Sequence, residues 1–211
     1  MQHAGQIPFT NPVSGYSYLQ RLFAAATQPG TLYLLDRLWH NSGITITTTT
    51  GQTINSAAFP ARDADGAVDG RNVLVGIEVS AATGNGSPVT NTTITYTNNL
   101  AAGSKTGTIS SFPATAALGT FVPFELAAGD VGIKSVETLT LGTSYVSGTI
   151  HLVAYRKLAS IALPTANVGG LLDMIGAGFP RLFDNTVPFL LWLPTATTAA
   201  TVHAEMVVTQ G

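Results

Sequence analysis

Three carboxylates crowd one short stretch, Asp63-Ala64-Asp65-Gly66-Ala67-Val68-Asp69-Gly70, and hard oxygen donors at such close spacing are what a Ca²⁺ ion takes. The register differs from an EF-hand loop, which needs glycine at its sixth position and a bidentate glutamate at its twelfth. Asp and Gly also accept the backbone angles of turns, so a solvated turn is the preferred reading and no metal ligand is assigned. His3, His40, His151 and His203 show no pairwise ligand spacing, so a zinc-type site would have to be assembled wholly by the fold. His203 and Glu205 lie two residues apart and share one face of any strand. That pair could orient a general base, but no G-x-S-x-G elbow marks a nucleophile. No catalytic residue and no cofactor-binding residue is assigned.

Glycine and tryptophan give equally local readings. Gly84-Asn85-Gly86 and Gly176-Ala177-Gly178 lack the further glycine or the Lys-Ser/Thr of phosphate loops, and read as turns. Asn91-Thr92-Thr93 is a formal glycosylation sequon, meaningful only after secretion. Residues 1–12 show no positive segment followed by an apolar one, so no secretory signal is expected. Trp39 and Trp192 sit inside apolar periodic segments, which favours packing over sugar stacking.

Composition narrows the function classes. The 211-residue chain is only 9% charged and 45% apolar, with net charge -2 and no cysteine, where an average soluble domain is roughly 25% charged. Without a basic cluster it lacks the footprint of a direct nucleic-acid binder. Disulfides, thiolate catalysis and cysteine-bound metals are excluded. The most apolar run, residues 187–193, is too short to span a bilayer as a helix and ends at Pro194, so no membrane association is expected. Polarity comes instead from threonine, which suits a pleated surface. So weakly charged a surface repels its own copies little, which favours assembly.

Patterning predicts the elements. Residues 1–15, with Pro8, Pro12 and Gly15, read as an extended N-terminal arm. Leu19, Leu22, Phe23 and Ala26 follow helical spacing behind Ser17, and Leu32, Leu35, Leu38 and Trp39 repeat it after Gln28-Pro29-Gly30. These predict an α-hairpin over about residues 17–42. From Ile44 the period becomes two, most plainly at Val73, Val75, Ile77 and Val79. Further strands are predicted over 90–97, 105–110, 120–126, 133–141, 144–156, 187–193 and 201–209, and one short helix over 168–175. The expected fold is mainly β, a jelly-roll-like antiparallel β-sandwich with an N-terminal helical hairpin, in one domain over residues 16–211.

Three segments carry a resemblance: Thr92-Thr93-Ile94-Thr95-Tyr96-Thr97-Asn98, Phe121-Val122-Pro123-Phe124-Glu125-Leu126-Ala127-Ala128-Gly129-Asp130-Val131-Gly132 and Leu139-Thr140-Leu141-Gly142-Thr143-Ser144. The stretch 89–155 resembles structural proteins of tailed-bacteriophage virions, most of all head decoration or cement proteins built on jelly rolls. The resemblance implies a non-enzymatic structural protein located in the virion. Its partners would be copies of itself, with a homotrimer expected, and the phage major capsid protein or other virion proteins. An alternative is a carbohydrate- or receptor-binding β-sandwich module of a phage tail or neck, because jelly rolls also host lectins.

Overall fold

The computed structural model describes residues 6–211. In chain order its strands are β1 (Ser17–Ala26), β2 (Gly30–His40), β3 (Gln52–Thr53), β4 (Val73–Ala81), β5 (Val89–Asn98), β6 (Lys105–Phe112) and β7 (Phe121–Pro123). They continue with β8 (Ile133–Thr140), β9 (Thr149–Leu163), β10 (Gly170–Asp173), β11 (Arg181–Leu182), β12 (Pro188–Pro194) and β13 (Val202–Gln210). Among the described residues the one α-helix is α1, a single turn at Met174–Ala177. The fold is therefore mainly β, and the pairings within each unit are antiparallel. The chain divides into two compact units, one built from the N-terminal segment to Arg37 with Lys157–Gly211, the other from Leu38–Arg156.

The expected helical hairpin over residues 17–42 is overturned, since both of its arms are strands. The reason for the misleading period lies in β1. A β-bulge between Leu19 and Arg21 shifts the register against β13, so buried Leu19 and Leu22 stand three residues apart before the alternation Leu22, Ala24, Ala26 resumes. An inserted residue makes a strand mimic one helical turn. Phe23, which a helix would bury beside Leu19, is instead 37% exposed. In β2, Leu34 to Leu38 are all buried, and a strand covered on both faces loses its alternation. The helix expected over 168–175 becomes strand β10 followed by α1, with Asp173 Oδ1 accepting from Gly176 N at 2.7 Å and Gly178 ending the turn at φ 59°. That closure needs a residue tolerant of the left-handed region.

In the unit formed by Leu38–Arg156, one sheet runs β3-β8-β5-β6, and β4 pairs with β9 on one side and β7 on the other. Val73, Val75, Ile77 and Val79 of β4 point into the same core as Ile94 and Tyr96 of β5 and Ile133, Val136 and Leu139 of β8. The Tyr145 ring stacks on Phe112 at 4.6 Å, and its hydroxyl meets Thr92 Oγ1 at 2.9 Å. Tyr96 extends its hydroxyl to Asp130 Oδ2 at 2.6 Å and accepts from Ala127 N at 2.9 Å, while Asn98 Nδ2 donates to Asp130 Oδ1 at 2.7 Å. Two strand side chains thus pin the loop that carries Asp130, so a buried tyrosine keeps its polar end satisfied.

In the other unit, β1 lies between β13 on one side and β10 with β11 on the other, while β12 pairs with β2. Leu19, Leu22, Leu32, Leu34, Leu158 and Leu163 are among its buried residues. Ile7 and Phe9 from the N-terminal segment pack against them. Ile7 N donates to Pro188 O at 2.8 Å, and the Asn11 side chain donates through Nδ2 to Asn185 Oδ1 and accepts at Oδ1 from the Asn185 backbone N–H. The part of the expected arm over residues 6–12 is therefore docked on its own unit; its first five residues and His3 lie outside the described residues.

Candidate assembly surface

Each carboxylate of the Asp63–Asp69 loop has a partner of its own. The Asp63 side chain is 1% exposed and accepts four backbone N–H groups: Asp65 and Ala67 on Oδ1 at 2.9 and 2.8 Å, Gly70 and Arg71 on Oδ2 at 3.1 and 3.3 Å. Burial pushes its pKa up, but those four donors together outweigh burial and hold it below the ordinary carboxylate value. Asp65 pairs with Arg71 at 3.0 Å, and Asp69 reaches Lys134 at 3.4 Å. The three carboxylates thus serve three different sets of cations and donors. Among the described residues no group of three or more His, Asp or Glu side chains could hold a metal ion.

The histidines separate. His151 Nδ1 lies 2.8 Å from the Asn41 carbonyl and its Nε2 lies 2.7 Å from Ser80 Oγ. A carbonyl only accepts, so Nδ1 carries a proton toward Asn41 O, while the Ser80 hydroxyl lies within reach of both Nε2 and, at 3.4 Å, Thr149 O. Ser80 is the extra residue of a bulge in β4, where the register against β9 shifts between Val79 and Ala81. Sequence reading missed this serine and base because 71 positions separate them; no local signal marks a pair made by strand register. A hydrolase would also need donors for a developing oxyanion and a cleft for substrate. His40 meets the His151 ring edge-on at 6.2 Å.

The glycine loops are turns, with Asn85 Nδ2 donating to Ser87 O and Pro113 O. Trp39 packs against Phe59 at 5.9 Å, and Trp192 packs on the core beneath β12. No helix among the described residues is long and apolar enough to cross a membrane.

His203 and Glu205 do share a face of β13, as their spacing requires, and both are exposed. Register places Glu205 opposite Phe23, which in turn stands opposite Leu171 of β10. Phe23 and Leu171 are both exposed, so an apolar pair sits beside Glu205 on the outer side of this sheet.

The outer edge of β13 is the second unusual feature. Thr201 O accepts from Thr27 N, and Gly211 exchanges two hydrogen bonds with Tyr16, so the odd-numbered residues of β13 direct their backbone groups toward β1. Antiparallel ladders alternate, which turns the N–H and C=O of Val202, Ala204, Met206, Val208 and Gln210 away from β1. Among the described residues β13 pairs with β1 alone. Strand edges are normally blunted by lysine, proline or a bulge; β13 contains neither lysine nor proline. Beside this edge runs a groove of about 430 Å³ lined by Ile7, Phe9, Leu22, Leu34, Leu190 and Met206. Core leucines therefore form part of its floor next to unpaired backbone.

No family model matches this chain, and no curated protein or solved structure is significantly similar to it.

Proposed function

We propose that this chain is a structural protein of a tailed-bacteriophage virion, a head decoration or cement protein that binds the shell as a homo-oligomer, with a trimer as the expected form, and carries out no catalysis. The observation that supports the reading best is the bare edge of β13 beside an apolar groove, on a chain that is 9% charged. An unprotected edge and an uncharged surface are liabilities for a free monomer and assets for a subunit whose neighbours cover them. The jelly-roll-like arrangement belongs to the same proposal, supported by the antiparallel sheets on both sides of the core in residues 38–156. The mechanism is linkage: a subunit that binds only the assembled lattice stabilises it at every occupied site. Three-fold association would match the local symmetry of an icosahedral shell.

The test is co-sedimentation of the purified chain with assembled phage shells, together with its mass by light scattering at micromolar concentration. Saturable binding and a defined oligomer are expected. A monodisperse monomer that leaves shells bare overturns the proposal, and electron microscopy of the particle carrying the chain locates its position.

A further inference from the structure

Resting on the assembly reading above, we infer that two copies of the chain pair antiparallel along β13, about a two-fold axis at Ala204. The outward backbone groups restrict the choice of register. They belong to Val202, Ala204, Met206, Val208 and Gln210, so a hydrogen-bonded pairing must set even-numbered residues against even-numbered ones. Three symmetric registers meet that condition near the middle of the strand, and side-chain chemistry separates them. Centring on Glu205 sets two glutamates directly opposite each other, which is unfavourable. Centring on Met206 sets Glu205 against Val207 and leaves the charge unanswered.

Centring on Ala204 sets His203 of each copy against Glu205 of the other, twice, in the non-hydrogen-bonded positions where side chains approach most closely. On the inward side the same register sets Val202 against Met206, both of which already pack on the core of their own copy. The pairing therefore supplies donors and acceptors to the bare backbone, apolar contact to the groove beside Met206, and an acid–imidazole pair to the exposed face. Such a contact is isologous, so it closes at two copies; it lies outside any three-fold trimer and would join subunits of two neighbouring trimers across a two-fold axis. Edge-to-edge strand addition draws its affinity from main-chain hydrogen bonds and its register from side chains.

The experiment uses the full chain. Sedimentation velocity across a concentration series should show pairing, and hydrogen exchange should show the Val202, Ala204 and Met206 amides gaining protection as concentration rises. His203→Glu sets glutamate against glutamate at both contacts and should weaken pairing by about tenfold or more, from two cross-strand pairs turned repulsive. Glu205→Lys should weaken it as well. H203E combined with E205K sets glutamate against lysine twice and should restore pairing to at least the starting strength. Both positions are exposed, so the fold should persist, and circular dichroism checks this. Pairing that ignores these exchanges, or protection that appears at Val208 and Gln210 instead, overturns this register while leaving the assembly reading intact. A chain that stays monomeric with those amides unprotected overturns the pairing, and the assembly reading is then judged by shell binding alone.

Discussion

Removing the Asp63 carboxylate tests whether the acidic loop is held by its own backbone or by an ion. In Asp63→Ala, four N–H groups lose their acceptor. That of Gly70 is buried and finds no water, at about 1–3 kcal/mol for an orphaned donor. The other three lie nearer solvent and recover part of their loss, leaving roughly 0.5–1 kcal/mol each. The expected destabilisation of the unit formed by Leu38–Arg156 is about 2.5–6 kcal/mol. Asp63→Asn keeps one acceptor oxygen and should cost roughly half as much. Because the folded carboxyl titrates below its unfolded value, its contribution is fully present above pH ~4 and is lost as pH falls through the folded pKa. The alanine variant should therefore differ less from the parent at acid pH. Urea unfolding followed through Trp39 in a Trp192→Phe background reads the unit in question. A loss under about 1 kcal/mol would refute the backbone account. So would a Ca²⁺-dependent rise in the parent midpoint that is abolished in the alanine variant.

Alkaline pH offers a second test: burial pushes the Tyr145 hydroxyl up to about 12 against the lowering effect of Thr92. Its contribution is intact below pH ~10 and falls away by about 1.4 kcal/mol per pH unit as pH rises through the folded pKa. Tyr96 shifts the same way, mainly by burial, again to about 12, so Tyr145→Phe should roughly halve the slope of stability against pH between about 10 and 12; an unchanged slope in urea titrations refutes it. Gly70→Ala should cost more than about 3 kcal/mol, because its φ is +82° and a Cβ there would stand 2.0 Å from Ile133 O; a near-native urea midpoint would be inconsistent with that packing. Phe9→Ala should lower the urea stability read through Trp192 by about 1–3 kcal/mol, whereas no change would show that the docked segment adds nothing to its unit. Screens with esters, glycosides, peptides and phosphates should show no turnover, and activity abolished by Ser80→Ala or His151→Ala would reverse the non-enzymatic reading.

The sequence by itself determined what depends on composition and on period two. Threonine abundance and the Val73, Val75, Ile77, Val79 alternation specify half-buried strands, because successive side chains must point to opposite faces; strands β4 to β9 lie where that pattern predicts them, with shifted ends. It also determined that His203 and Glu205 share a face. Tertiary structure decided what depends on partners far along the chain. Residues 17–40 follow helical spacing locally, yet β1 is a strand because β13, β10 and β11 supply its hydrogen bonds, and its bulge is what produced the helical spacing. The Asp63 loop could be read as a cation site until the fold brought four backbone donors onto one carboxylate. The Ser80 and His151 contact and the bare edge of β13 were likewise invisible: both arise from sheet register and strand order, which long-range pairing sets and no local spacing encodes.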